Sequence, residues 1–321
     1  MKAEIISRGG ITAKIIADSE IGGRRLTTMQ LRYPRFIHSE FMTHRMFSRN
    51  ASSSRAIPVE KMIEQVRAKP AMPIHWGENQ PGMQARTEVD YEKRSDAIAF
   101  WRQLARGAAE DAEFLANQFS LHKQIANRVL EPFQFISVVV TATEWDNFFK
   151  LRMHPDAQPE FYELASAMYS IFNANTPDTL DEDEWHLPYV DLKAEFPNSE
   201  DIAKATFVSA ARCARVSYLN HDKTQPNPEQ DMKLAMKLAK AGHMSPFEHQ
   251  ARAFAQDTDS PTVVAPSGIT HLDLNHELWS GNLRGWIQLR QVLDPMMELI
   301  KTIEYLAQTE GVIPLEKTAP S

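Results

Sequence analysis

The chain has 321 residues, enough for one large domain or two modest ones with a sizeable core. Apolar residues make up 43% of it and charged residues 24%, a globular composition that excludes a chain unable to bury a core. The net charge of −7 argues against a broad nucleic-acid-binding face, so no stable nucleic-acid partner is expected, although a local basic pocket for a phosphate remains compatible with it.

Cys213 is the only cysteine, which excludes an intrachain disulfide and a zinc site built from several cysteines and agrees with a reducing compartment. The opening MKAEIISRGG has no apolar core of signal-peptide length, and no stretch approaches the ~18 apolar residues of a membrane span. A soluble, cytoplasmic protein is the expectation.

In chain order, residues 1–40 read as strands and a hairpin, with Gly22-Gly23 as the turn and RRLTTMQLRY as a strand ended by Pro34. FIHSEFMTHRMFSRN reads as a helix after it. Residues 67–90, with three prolines and two glycines, read as an irregular excursion of the lid or substrate-loop kind. Residues 92–119 place Ile98, Trp101, Ala105, Ala108, Ala112, Leu115 and Phe119 near one helical face. A break near Ser120 precedes a helical turn, IANRVL, interrupted by Pro132. FISVVVTAT is the clearest strand, and EWDNFFKLR and PEFYELASAMYSIFNAN read as helices. The acidic, proline-bearing run from 177 to 200 suggests a connector, which divides the chain into 1–180, a linker at 181–200, and 201–321. Beyond it come a helix at 200–215, a polar loop at 219–228, a helix at 229–241 closed by Gly242, a short strand RAFA, a loop-like stretch at 256–277 and a mostly helical 284–309. Helices and strands do not alternate as βαβ units, so the expected class is α+β, an antiparallel or mixed sheet packed with long helices.

No GxGxxG, GxxxxGK[ST], HExxH or GxSxG pattern is present, which removes the classical dinucleotide, P-loop, zinc-protease and hydrolase readings. Three polar clusters remain. The first runs from His44 to Arg55; its serines Ser52, Ser53 and Ser54 with the Arg55 guanidinium suit a phosphate, with Arg45 and Arg49 adding charge, although a solvated helix end with a polar turn has the same composition. The second, GHMSPFEH at 242–249, holds two histidines and Glu248, but Pro246 prevents a regular helix and the spacing matches no zinc motif, so no metal is expected. The third is NFFKLR at 147–152, followed by Asp156 and AQPE, with Arg128 upstream in NRVLEP; a surface helix with an ordinary arginine fits it equally well.

Taken together these segments resemble the flavin-dependent thymidylate synthases. THRMFSRNASSSR keeps the His, the second Arg, both serines, the Asn and the last Arg of that family's R-H-R-x-x-S…N-E…S-x-R signature. RVLEP, NFFKLR…AQPE, AARCARVSY and GHMSPFEH resemble further family segments. Their order is unusual: the ARVS and SPFEH segments follow the HRxxS segment here and precede it in the family, as in a circular permutation or a duplication with divergence. GNLRGWIQLRQ at 281–291 follows SPFEH as the HRxxS helix does in ordinary members. Thr43 stands where the family has its first Arg, Ala51 where it has Glu, Glu40 where it has a Gln near the base, and Asp156 where it has a His.

The resemblance implies reductive methylation of dUMP to dTMP, with FAD as cofactor, methylenetetrahydrofolate as carbon donor, NADPH as reductant, and a homotetramer as the assembly. It implies Arg152 as the residue that draws charge into the pyrimidine. Glu40, Ser52, Ser53, Ser54, Arg55 and Arg128 would bind the nucleotide with it. His44, Arg45, Asn147, Ser217, His243 and Ser245 would line the flavin, with Arg290 as a possible sharer of Arg45's duties. The nearest competing expectation is hydroxymethylation or alkylation of dUMP or dCMP at the same carbon. A non-catalytic nucleotide-binding homologue is a second, suggested by Thr43 and Ala51.

Overall fold

A computed structural model describes residues 3–217, 227–255 and 265–295. The first half folds, in order, into β1 (Glu4–Ile6), β2 (Thr12–Ile21), β3 (Arg24–Pro34), α1 (His38–Phe41), β4 (Ser48–Ala51), α2 (Val59–Ala68), α3 (Tyr91–Gln118), α4 (Lys123–Ala126), β5 (Phe135–Ala142), α5 (Asp146–Arg152) and α6 (Pro159–Ala174). Gly22 and Gly23 take φ of 54° and 76°, a region that side chains resist, and so close the β2–β3 hairpin as the sequence suggests. The strands order as β1-β2-β3-β5-β4, all antiparallel, with the short β6 (Asp178–Thr179) added in parallel to β2.

Side chains alternate across this sheet, and both faces are covered. On one face Ile11, Ala13, Ile15, Met29, Leu31, Tyr33, Val138 and Val140 pack on Phe148, Phe161, Leu164 and Met168 of α5 and α6. Phe148 meets Phe41, Phe47, Phe149 and Phe161 at ring centroids 5.2–6.1 Å apart, so its truncation would cost about 3–5 kcal/mol. The long α3 packs separately on α2 through Ala105, Ala109 and Ala112, capped at its start by the Asp90 carboxylate accepting from Lys93 N–H.

The opposite face carries polar groups and receives the rest of the chain. That part comprises β7 (Trp185–His186), α7 (Leu192–Glu195), α8 (Ile202–Ala214), α9 (Pro228–Lys240), β8 (Ala251–Ala253), β9 (His271–Leu272), β10 (Leu278–Ser280), β11 (Leu283–Arg284) and β12 (Trp286–Gln288). Thr28 and Thr141 share a hydrogen bond of 2.7 Å; His186 Nε2 reaches Thr28 at 2.8 Å, and His249 Nδ1 reaches Thr141 at 2.8 Å. Val139 packs on Cys213 and Val216 beside this network. The architecture is α+β with antiparallel sheets, in line with the sequence.

Several elements differ from the sequence reading. The expected helix over 36–50 is a 3-10 turn, the four-residue α1, a turn and the edge strand β4, because 48–51 finds its hydrogen bonds on β5. The helix expected from 284 starts only at 289, since Trp286, Ile287 and Gln288 are wholly buried as a strand pairing with β8. The stretch 181–200 carries β7 and α7 and buries Leu187 and Phe196, so it is packed structure rather than a free connector. The polar loop expected at 219–228 falls almost wholly outside the described residues, as do part of 256–277 and everything after 295.

Candidate active site

α5 ends on Arg152 and α6 begins at Pro159, and these two helix ends face a cleft of about 1130 Å³. The arrangement is locally favourable: Lys150 and Arg152 sit in the last turn of α5, Pro159 opens α6, and Glu160 lies in its first turn. Phe36, Pro73, Ile74, Trp101 and Pro132 supply apolar walls, and Arg8, Glu40, His75, Arg86, Arg152 and Glu163 supply charge or polarity. The excursion expected at 67–90 borders this cleft. Glu160, buried, accepts from Ile74 N–H at 2.8 Å, and Arg86 pairs with Asp156 at 2.9 Å, so the loop is tied to the start of α6 and the segment before it.

Arg152 is held on every side. Its Nε donates to His44 Nε2 at 2.9 Å, its Nη2 lies 3.4 Å from Thr43 Oγ1, its Nη1 lies 3.4 Å from Glu40 Oε1, and its guanidinium sits 4.5 Å from the Phe161 ring centroid. A guanidinium can only donate, so His44 Nε2 is an acceptor and its proton sits on Nδ1. Burial first, then the charges of Arg152 and Arg49, hold His44 down at about 4, so the imidazole is neutral at neutral pH. Its ring stacks on Phe47 and meets Phe148 edge-on at 4.9 Å.

The serine run lies at the end of β4. Ser52 continues the strand pairing, its N–H donating to Ser137 C=O at 2.8 Å and its Oγ accepting from Ser137 N–H at 3.1 Å. Ser53 Oγ accepts from Arg55 N–H, and Ser54 is buried with its C=O held by Asn127 Nδ2 at 2.7 Å. Asn127 thus brings the Arg55 turn beside Arg128; both arginines are exposed. Arg128 and Arg35 both donate to Glu131 Oε1, and the next residues along, Pro132 and Phe36, line the cleft. The serine–arginine turn is therefore linked to the rim of the cleft through Asn127, Arg128 and Glu131.

Only part of the set expected around a flavin lies toward the other end of β4: His44 sits against Arg152 instead, and Asn147 lies apart on α5. Gln288 Nε2 lies 3.3 Å from Ser48 Oγ, 3.0 Å from Glu248 C=O and 3.0 Å from Asn282 Oδ1, and Asn282 Nδ2 donates to Met46 C=O at 2.9 Å. One buried amide thus joins the HRMFS, SPFE and GWIQ segments. Arg290 pairs with Glu248 and, at 3.1 Å, with Asp294. Arg45, His243 and Ser245 are exposed near this junction in the chain. Asn147 is exposed on α5, outside the residues lining the cleft, and Ser217 closes a 3-10 turn after α8. Arg55, Arg152 and His243 do not touch within one chain. The second cluster does not converge on a metal: His249 is buried against Thr141, Glu248 pairs with Arg290, and His243 faces solvent.

Sequence reasoning does not single out Arg8, Arg35, His75 or Arg86. His75 and Arg86 lie in the 67–90 excursion, which reads as a substrate loop without marking any one of its residues, and AQPE, which contains Gln158 and Glu160, gives the other signal at this end of the cleft.

Residues 26–178 match the family model described as thymidylate synthase complementing protein. No curated protein sequence matches the chain. Among solved structures, the UMP/dUMP methylase PolB from Streptomyces cacaoi bound with 5-Br dUMP is similar at 18% identity, covering 53% of this chain and 93% of that one, with a TM-score of 0.44. The same enzyme bound with 5-Br UMP is similar at 15% identity, covering 52% and 90%, with a TM-score of 0.42.

Proposed function

We propose, from the premise that the segment 26–178 belongs to the thymidylate synthase complementing protein family, that this protein methylates dUMP to dTMP with FAD, methylenetetrahydrofolate and NADPH. The observation that carries the reading is Arg152, fixed by His44, Glu40 and Phe161 at the wall of a cleft with apolar sides. Uracil C5 is a weak nucleophile until charge is drawn toward the N3–C4–O4 edge, and a preorganised guanidinium beside that edge stabilises the charge. Neutral His44 holds Arg152 in place by accepting from its Nε, and does not compete with it as a second cation. Ser52, Ser53, Arg55 and Arg128 would take the nucleotide phosphate and sugar at the rim, with Ser54 shaping the turn.

The residues around β4 fit a flavin. Asn50 Nδ2 is buried without a partner among the described residues, and Arg45, His243 and Ser245 lie exposed near the Gln288 junction. His44, Arg45, Asn147, Ser217, His243, Ser245 and Arg290 would hold it. When bound, reduced FAD supplies the hydride of the reductive methylation. We further read residues 201–321 as completing the fold begun by 1–180, with a tetramer as the working assembly. The contacts of His249 with Thr141 and of Gln288 with Ser48 support the first of these.

The test is direct. The purified protein should show a flavin spectrum that bleaches with NADPH, and dUMP with the folate donor should give a product heavier by one CH2, a methyl group in place of the C5 hydrogen. A colourless protein that binds dUMP without turnover would leave only a nucleotide-binding homologue. A second reading, hydroxymethylation or alkylation of dUMP or dCMP, is favoured by the Glu40 carboxylate beside Arg152, and the product mass separates it.

A further inference from the structure

Glu40 presents an unanswered question of hydrogen bonding. Its main-chain carbonyl is fixed by Thr43, accepting from the N–H at 3.1 Å and from Oγ1 at 2.7 Å. Its Oε1 lies 3.4 Å from Arg152 Nη1. Its Oε2 is shielded from solvent and has no hydrogen-bond partner among the described residues, yet the side chain lines the cleft. A carboxylate oxygen left without a donor in such a place is costly, and an ionised carboxylate can only accept. A group arriving with an N–H is therefore its natural complement.

We infer that Glu40 is a specificity-determining residue whose Oε2 accepts the ring imide N3–H of a uracil nucleotide, while Arg152 donates to the neighbouring carbonyl. The inference rests on the proposed pyrimidine-nucleotide reading of this cleft. Uracil presents acceptor, donor, acceptor along its O4, N3 and O2 edge, and N3–H is the only donor on it. A guanidinium and a carboxylate held side by side, as Arg152 and Glu40 are, match an adjacent carbonyl and imide N–H once the half-exposed Glu40 carboxyl turns its shielded Oε2 toward the cleft. Holding the imide proton on a carboxylate also raises electron density in the ring without moving the proton, which makes C5 a better nucleophile. Glu40 thereby acts on the same edge as Arg152: one group fixes the N–H, the other receives the charge on oxygen.

The experiment measures binding of dUMP, N3-methyl-dUMP and dCMP to the purified full-length protein and to its Glu40→Gln and Glu40→Ala variants, with thermal melting as the control for folding. Wild type should bind dUMP at least about 10-fold more tightly than either analogue, the discrimination one well-formed paired contact to a base supplies. Glu40→Gln keeps an acceptor oxygen and should bind dUMP within a few-fold of wild type while turning over more slowly. Glu40→Ala should bind dUMP and N3-methyl-dUMP alike, a loss of discrimination that a merely structural role would not produce. If wild type itself binds N3-methyl-dUMP as well as dUMP, the assignment of Glu40 is overturned and the pyrimidine site stands. If it prefers dCMP, the carboxylate reads an exocyclic amine and the imide assignment is wrong. If no pyrimidine nucleotide binds, the proposed function falls with it.

Discussion

Replacing Arg152 with alanine is the perturbation that most sharply separates chemistry from scaffolding. The change removes the donor to His44 Nε2, the ion pair with Glu40 and the contact with the Phe161 ring. Little stability should go with it. The Glu40 side chain is 39% exposed, and such ion pairs are worth about 0–1 kcal/mol, so melting should fall by only a few degrees. The chemical cost is larger. A charge about 4 Å from a developing anion at an effective dielectric near 20 is worth about 4 kcal/mol, and loss of a single preorganised donor typically costs about 10²–10³-fold in rate. Single-turnover product formation from dUMP should fall by that factor while bound-flavin absorbance is retained. Arg152→Lys should be intermediate, since it keeps the charge and loses the planar fork. The same variant reports on His44: with the second-largest cause of its depression gone, its titration should move up from about 4, yet stay below the ordinary histidine range because burial is the largest cause. Parallel loss of flavin, nucleotide binding and melting temperature would mark Arg152 as a structural arginine and sink the argument.

Arg55→Ala should raise the dissociation constant for dUMP by about 10-fold with turnover at saturation unchanged, the signature of a lost phosphate contact read by calorimetry. Gln288→Ala removes the amide that joins Ser48, Glu248 and Asn282 and should cost about 1–3 kcal/mol in urea unfolding, with flavin retention falling alongside. Burial holds His249 at about 3, so the unfolded chain takes up a proton near 6.5 that the folded chain refuses. Stability is then whole above pH 6.5 and falls on acidification by about 1 kcal/mol per pH unit, and His249→Gln should flatten that slope in urea melts at pH 7 and 5.

How much could be read in advance follows from which signals are local. Gly22-Gly23, the β-branched run at 135–142 and the apolar periodicity of 159–174 each declare their structure within a few residues, and all three form as read. β4 does not. Its four residues follow the helical-looking FMTHRMF, and only pairing with β5, some 90 residues later, makes them a strand. β12 fails for a related reason: Trp286, Ile287 and Gln288 are all buried, so no period of two survives to betray a strand. At the site, Arg152, Glu40 and His44 were visible through motifs, and the structure places them in contact. Arg8 lines the same cleft from a segment with no pattern, joined to the loop by its contact with Ile74 C=O, and Arg86 comes from the 67–90 excursion, whose composition marks a loop without saying which of its side chains reaches the cleft.

The unusual motif order then has a physical explanation that does not depend on how it arose. What a site requires is adjacency in space, and here that adjacency is built by one polar sheet face and one sheet edge. The face offers Thr28 and Thr141, whose hydroxyls would be costly if buried alone, and His186 and His249 from the later segments answer them. The edge offers β4, and Gln288 answers Ser48 while holding Glu248. A chain that carries SPFEH and GWIQ late can thus return them to the HRMFS segment, because docking supplies partners to the Thr28–Thr141 pair and to Ser48 as it buries them. If His249 and Gln288 were replaced together by isosteric apolar residues and the late segments still docked, hydrophobic packing through Val139, Cys213 and Val216 would be sufficient by itself, and the polar pairing would be a consequence of docking rather than its guide.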